Sequence, residues 1–183
     1  VMIAYAPIHY LLLNDDDVFV MTSANLSDEP IVYQDEEAKS HLSTIADYIL
    51  SHNRIIQTRV DDSVVRVFND KQMLIRRSRG YAPSPVLLKG DLISDIPVLA
   101  CGPELKNIFC MTKGQKAFLS QHIGDLENMA VNNAYKNSID LFKRLFTIKP
   151  KLIACDMHPE YFSTKFAKSY AQDNDLPLVQ VQH

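Results

Sequence analysis

The sequence predicts an α/β fold in two parts, and three observations lead to this prediction. The second half of the 183 residues alternates short apolar runs with two long amphipathic segments, a pattern typical of strands joined by helices. The first half contains an amphipathic segment followed by a pair of strand-like runs. Between the halves, residues 81–97 are rich in proline and glycine, which indicates a linker between domains.

In the first half, the sequence predicts one helix and four strands. The helix covers residues 35–51, because apolar side chains recur every three or four positions and three acidic residues occupy its first turn. Asn69 and Asp70 predict a hairpin turn. The polar residues 22–30 predict a loop. The strands are predicted from apolar or alternating runs at residues 18–21, 54–56, 63–68 and 72–75.

In the second half, three short strands precede a long helix, predicted over residues 125–146 with Asp125 as its N-cap. A strand at 151–155, a helix at 161–173 and a strand at 178–181 follow. A strand–helix–strand–helix–strand order predicts parallel pairing with right-handed crossovers. The three short strands are predicted at residues 98–101, 106–111 and 117–120.

Composition excludes several classes of function. The net charge is −3, so bulk nucleic-acid binding is not expected. No apolar run approaches the roughly 20 residues of a membrane span, so no membrane partner is expected. The three cysteines are far apart and form no C-x-x-C pair, which excludes a disulfide framework and a cysteine zinc site and favours a reducing cytoplasm. The sequence starts with Val1 inside an apolar segment and stops in a strand-like segment, so we expect a fragment of a longer protein.

An arginine cluster is the most informative segment, running Arg76-Arg77-Ser78-Arg79-Gly80-Tyr81-Ala82-Pro83 after the predicted hairpin. Guanidinium groups donate paired hydrogen bonds that suit phosphate oxygens. If the strand continues through the cluster, alternation places Arg77 and Arg79 on one face and Arg76 on the other. The alternative interpretation is a solvated basic loop.

Other polar segments are candidates for ligand contacts. Residues 22–25 offer two hydroxyls and an amide, which can hold phosphate oxygens or the shell of a magnesium ion, or can simply bond a turn. Gly102 to Asn107 join two predicted strands and place Lys106 and Asn107 where phosphate could bind. Asp156 and His158 follow a predicted parallel strand, where ligands of open α/β folds gather.

Together these segments resemble the HypF carbamoyltransferases, the hydrogenase maturation factors. They occur in the order of that family and cover almost the whole chain. The matching stretches are residues 21–31, 52–54, 61–66, 76–83, 102–109, 120–126, 156–159 and 181–183.

The resemblance implies the domain organisation. Residues 1–90 correspond to the C-terminal part of a YrdC-like α/β domain, residues 91–97 to a linker, and residues 98–183 to the N-terminal lobe of a threonylcarbamoyl-transferase-like domain of the actin/Hsp70 (ASKHA) class. The K-x-R pair of the first domain has no counterpart here, and neither does the second lobe of the second domain.

The resemblance also implies site residues. Ser23 and Asn25 match the S-x-N pair of the YrdC-like domain, and His183 matches the first histidine of the metal motif V-Q-H-H-x-A-H. The expected contacts to nucleotide or carbamoyl-adenylate are Ser23, Asn25, Arg54, Ser63, Arg77 and Arg79, with Lys106 and Asn107 binding nucleotide in the second domain.

The implied activity is an ATP-dependent carbamoyl transfer. Carbamoyl phosphate and ATP, with Mg²⁺, give carbamoyl-adenylate, and the carbamoyl group passes to the C-terminal cysteine of a HypE-type protein on the way to the cyanide ligands of nickel–iron hydrogenase. A complete second domain would also hold Zn²⁺ or Fe²⁺. The alternatives are a threonylcarbamoyl-adenylate synthase that modifies tRNA, or a non-catalytic nucleotide-binding or protein-interaction module.

Overall fold

A computed structural model of the protein describes residues 3–26 and 29–182. A six-stranded mixed sheet is the main element of its second half. Three of its strands are antiparallel neighbours: β4 (Val98–Ala100), β5 (Cys110–Lys113) and β6 (Lys116–Leu119). The strands β7 (Leu152–Asp156) and β8 (Leu178–Val181) then add in parallel beside β4. The predicted parallel pairing is therefore confirmed.

Two helices cover this sheet and form one core with it. Helix α3 (Met129–Phe146) buries Val131, Tyr135, Ile139 and Phe142 at helical spacing, and helix α4 (Phe162–Asp173) buries Ala167 and Ala171. The Tyr135 ring meets Phe166 of α4 edge to face, with centroids 5.3 Å apart. Both helices therefore pack on the same face of the sheet.

Helix α3 begins later than the sequence predicts. Asn128 is its N-cap, and its side-chain oxygen accepts a hydrogen bond from the Val131 N–H at 2.9 Å. Asp125 is not the cap, because its carboxylate accepts a 2.6 Å bond from the Lys106 N–H instead. The strand predicted at 106–111 is also displaced to Cys110–Lys113, since Lys106 has a φ of 50° that ends extended structure there.

The first half contains two short helices and one hairpin. The helices are α1 (Pro7–Leu12) and α2 (Asp35–His41), and the hairpin joins β1 (Val64–Phe68) to β2 (Lys71–Arg76). Asn69 and Asp70 both have positive φ, 49° and 55°, as a tight two-residue hairpin turn requires. The predicted hairpin is confirmed.

Three predictions for the first half are wrong. Helix α2 ends at His41 rather than at residue 51, and residues 18–21 and 54–56 form no strands. Val18 and Val20 are almost completely exposed, at 91% and 101%. No described strand pairs with these apolar runs, so hydrophobicity alone does not make them strands.

A short strand connects the two halves. Strand β3 (Val86–Leu87) lies within the segment predicted as a linker region, yet it pairs antiparallel with β6 and thus extends the sheet of the second half. A single 3₁₀ turn, Gly90–Leu92, follows it. Among the described residues, no helix is long and apolar enough to cross a membrane.

Candidate functional site

A cleft of about 1590 Å³ lies where the two halves meet. Residues within 3–25 and 29–31, with the segments flanking the hairpin, form one side of it, and residues within 122–131 form the other. Its walls are mixed in charge, with Arg59, Arg76, Arg79 and two histidines facing several carboxylates. A cleft of this size has more than enough room for a nucleotide-sized ligand.

The loop predicted to bind phosphate lies in this cleft. Ser23 and Asn25 both line it, together with Thr22. The loop is held by its own backbone, since the Asn25 N–H donates to Ser23 O at 3.1 Å and the Val32 N–H donates to Ala24 O at 2.9 Å. The Asn25 amide nitrogen donates to Leu26 O at 2.8 Å, so part of this side chain has a local structural role.

Arg76 and Arg79 are the two members of the arginine cluster that line the cleft. Arg79 is held by an ion pair with Asp62, with 3.2 Å between Nε and Oδ1, and lies over the Tyr5 ring with its guanidinium carbon 5.3 Å from the centroid. About half of each charged side chain in this pair is exposed. The pair therefore orients Arg79 more than it stabilises the fold.

Arg77 turns away from the cleft. Its guanidinium donates to Tyr81 O at 2.9 Å and to Ser84 O at 2.7 Å, so it fastens the loop that follows β2. The predicted shared face of Arg77 and Arg79 is wrong, because β2 ends at Arg76 and strand alternation does not extend beyond it.

Ser63 and Arg54 also lie outside the lining of the cleft. The Ser63 hydroxyl donates to Arg79 O at 2.9 Å and accepts from the Ser78 N–H at 2.8 Å, which fixes the backbone of the arginine cluster. Arg54 lies on an exposed segment. In this arrangement, Ser63 supports the backbone of Arg79 without lining the cleft, and Arg54 does not line it either.

The loop of residues 120–125 brings the second half to the cleft. The His122 N–H donates to Arg77 O at 3.0 Å, and the Arg59 guanidinium donates to Ile123 O at 3.2 Å. His122, Ile123, Gly124 and Asp125 all line the cleft. Burial lowers the pKa of Arg59, and the nearby Asp61 carboxylate opposes that effect.

Lys106 and Asn107 lie beside this loop, in the connection between β4 and β5, which we call the second hairpin. Asn107 is completely buried, and its amide donates to Cys101 O at 3.0 Å and Pro103 O at 2.6 Å. Its backbone also pairs with Ile123 and Gly124. The amide nitrogen of Asn107 is thus bonded within the chain, and the predicted nucleotide contact of Asn107 stays a prediction. Lys106 is exposed.

The described residues contain no cluster of three or more His, Cys, Asp or Glu side chains suited to a metal ion. Asp156 and His158 are bonded to each other through the His158 N–H, at 2.7 Å from the Asp156 carboxylate. The predicted metal ligand His183 lies outside the described residues. The described part of the chain thus does not fit a Zn²⁺ or Fe²⁺ site, whereas the hydroxyl and amide oxygens of Ser23 and Asn25 suit Mg²⁺.

Comparison with known proteins matches the two halves to different families. Residues 94–183 match the family described as the HypF Kae1-like domain. Residues 1–78 match the Sua5/YciO/YrdC family, described as telomere recombination.

Whole-chain relatives contain both halves in the same order. Carbamoyltransferase HypF of Rhizobium leguminosarum bv. viciae is 41% identical over 191 residues, covering all of this chain and 24% of that protein. The chain belongs to the HypF family. The probable carbamoyltransferase HypF of Methanocaldococcus jannaschii is 39% identical, again over all of this chain and 24% of that protein. The chain therefore spans about a quarter of the length of these HypF proteins.

Solved HypF structures share the fold. The crystal structure of full-length HypF in the phosphate- and nucleotide-bound form is 49% identical with a TM-score of 0.90, covering all of this chain and 28% of that chain. T. kodakarensis HypF is 40% identical with a TM-score of 0.82, over 89% of this chain and 21% of that one. These matches confirm the predicted family and α/β fold class.

Sequence reasoning did not select several residues of the cleft as site candidates. Arg59 and His122 line it from opposite halves, and Arg76 lines it beside Arg79. His122 lies within a stretch that resembles the family, so the motif carried a signal. The position of Arg59 carried none, because only the tertiary contact with Ile123 brings it to the cleft.

Proposed function

We propose that this chain forms part of an ATP-dependent carbamoyltransferase, and that its cleft binds the nucleotide and the carbamoyl-adenylate made from ATP and carbamoyl phosphate. The single observation that carries the proposal is the meeting of Ser23 and Asn25 with Arg76 and Arg79 in one cleft large enough for a nucleotide. The similarity of the whole chain to a HypF described as phosphate- and nucleotide-bound supports it.

The proposed roles follow from the chemistry of the side chains. Hydrolysis of carbamoyl phosphate releases phosphate and leaves carbamate, whose oxygen attacks the α-phosphorus of ATP. Arg76 and Arg79 bind the phosphate groups and stabilise negative charge as pyrophosphate leaves that phosphorus. Ser23 and Asn25 position the phosphates, and their oxygens are suited to hold Mg²⁺, which would offset phosphate charge when bound. Arg77 and Ser63 position the loop that carries Arg79.

The rest of the proposal concerns the complete enzyme. Its acceptor is the C-terminal cysteine of a HypE-type protein, and the transferred carbamoyl group serves cyanide synthesis in hydrogenase maturation. The second half is proposed to be the first lobe of an ASKHA-type domain whose Lys106 contacts nucleotide and whose His183 contributes to a Zn²⁺ or Fe²⁺ site. We place the domains at residues 1–90 and 98–183 and the enzyme in the cytoplasm.

A threonylcarbamoyl-adenylate synthase is the second candidate, and the match of residues 1–78 to the Sua5/YciO/YrdC family favours it. The Kae1-like match of residues 94–183 favours the carbamoyltransferase. The two differ in substrate, so adenylate formation that requires carbamoyl phosphate rather than threonine and bicarbonate separates them.

The test uses arginine variants of the full-length enzyme that carries this sequence. We expect Arg76→Gln and Arg79→Gln each to lower carbamoyl-phosphate-dependent exchange of pyrophosphate into ATP by about tenfold, because each loses a charged contact worth roughly 1.4 kcal/mol in the transition state. Labelled pyrophosphate measures the exchange.

Arg66→Gln is the matched control. Arg66 is exposed on β1 and lies over the Phe68 ring, outside the cleft. We expect its exchange rate to stay within about twofold of the wild type, as for most exposed substitutions. Normal exchange in both Arg76→Gln and Arg79→Gln would sink the proposed role of the cleft.

A further inference from the structure

His122 lies on the second half of the chain yet forms part of the wall of the cleft. Its position is fixed by the backbone, because its N–H donates to Arg77 O at 3.0 Å. The neighbouring Ile123 O accepts from the Arg59 guanidinium at 3.2 Å. The loop that carries His122 is thus attached to both arginine-bearing segments of the first half, and the imidazole is held half-buried beside them.

Four charged groups face the imidazole from three segments. Arg59 and Asp61 precede β1, Arg76 ends β2, and Asp125 lies on the loop of His122 itself. Burial is the largest influence and lowers the pKa of His122, Arg76 and Arg59 lower it further, and Asp61 and Asp125 raise it. The lowered pKa favours the neutral form of His122 when the cleft holds no anion.

An anion in the cleft reverses this balance. A phosphate group beside Arg76 offsets the positive charge that disfavours the imidazolium, and it supplies an acceptor for the imidazole N–H. Both effects favour protonation of His122. By linkage, an anion that favours the protonated form must itself bind more tightly as the pH falls.

We propose that His122 contacts the phosphate-bearing ligand of the cleft and takes up one proton from solvent when that ligand binds. This inference rests on the proposed function for the identity of the ligand, but not for its chemistry, since any polyphosphate has the required charge. The proposal gives His122, a residue of the second half, a contact with a ligand that is bound mainly by residues of the first half. His122 is then a binding residue that couples the two halves.

The experiment measures binding of inorganic pyrophosphate to the full-length enzyme by calorimetry. Titrations in two buffers of different ionisation enthalpy give the number of protons taken up, and titrations at pH 6 and pH 8 give the affinities. The wild type is compared with His122→Gln, which keeps an N–H donor but cannot be protonated. Subtracting the two removes the titration of pyrophosphate itself.

We expect the wild type to take up more protons than His122→Gln. We also expect the wild type to bind pyrophosphate roughly three- to tenfold more tightly than the variant at pH 6, the difference expected when a charge-assisted hydrogen bond becomes a neutral one, with a smaller difference at pH 8. His41→Gln is the control, because His41 is exposed on α2 and away from the cleft. It should match the wild type in both measurements.

Equal proton uptake and equal affinities in the wild type and His122→Gln would overturn the proposal. If that variant unfolds, His122→Asn is compared in the same way and decides the question. Pyrophosphate exchange on the same samples tests the proposed function separately. A wild type that binds pyrophosphate with His122-linked proton uptake but shows no exchange would reject the carbamoyltransferase and retain this inference.

Discussion

Burial controls the ionisation of the cysteine thiols in the second half. Cys101 is completely buried, and burial raises the pKa of its thiol to about 12. Burial also raises the pKa of the half-buried Cys110 thiol to about 11. Since the thiolate is the reactive form, both thiols are unreactive near neutral pH.

This predicts the alkylation pattern of the chain. At pH 8, iodoacetamide should leave Cys101 unmodified in the native protein and should modify it fully in 6 M urea, because unfolding returns the thiol to its ordinary pKa of about 8.5. Peptide mass spectrometry measures the modified fraction. Rapid native alkylation of Cys101 would show that the site is open to solvent. The pH dependence of stability follows from the same pKa shift. Above about pH 8.5 the Cys101 thiol ionises in the unfolded chain but not in the folded protein, so the free energy of unfolding falls as the pH rises.

At the scale of elements, a glycine turn holds the second hairpin against the loop of residues 120–125. Gly102 has a φ of 70°, and a Cβ there would lie 2.4 Å from Ile108 O and 3.0 Å from the Asn107 amide nitrogen. Glycine is therefore required at position 102 for two reasons: the backbone is left-handed there, and Ile108 O approaches too closely to leave room for a Cβ atom. Asn107, fixed by this approach, in turn bonds to Gly124 and Ile123.

We therefore predict that Gly102→Ala destabilises the protein far more than Gly114→Ala. Gly114 has a φ of 55° but open space around it, so alanine costs only the backbone strain of about 1 kcal/mol. At Gly102, the clash with a backbone carbonyl adds to that strain, and we expect a total loss above about 3 kcal/mol. Urea denaturation followed by circular dichroism measures both variants. Equal losses would mean that the hairpin moves aside freely.

At the scale of the whole molecule, apolar burial is concentrated in the second half. Apart from Leu42, every buried apolar side chain of the described residues lies between Leu99 and Ala171. The first half instead exposes many large apolar side chains, including Val18, Val20 and Ile55. Since burial of apolar area is the main favourable contribution to folding, local stability should differ between the halves.

Hydrogen exchange of the 183-residue chain should show this difference. We expect amides of β4 and β7 to exchange most slowly, because both strands are paired on each side within the sheet. Residues 43–60, which contain no helix or strand, should exchange within seconds to minutes at pH 7. Mass spectrometry of peptic fragments measures both. Comparable protection of residues 43–60 and the central strands would contradict the uneven core.

The same difference explains which elements could be predicted from the sequence. In the second half, local pattern and tertiary packing agree, so β7, α4 and β8 appear within one residue of their predicted bounds. In the first half, the apolar runs at 18–21 and 54–56 pair with no described strand. A strand needs a partner for its backbone groups, and periodicity does not say whether one is present.

By itself, the sequence determined the α/β class, the parallel pairing of the strands joined by helices in the second half, the hairpin at Asn69 and Asp70, and the family. These depend on local backbone preference, hydrophobic period and motif order. Only the tertiary structure decided which arginines face the cleft, that Asn107 is buried, and that His122 of the second half lines a cleft shared with the first half. Those facts depend on where a strand ends and which distant segments touch, and neither is encoded in a local spacing.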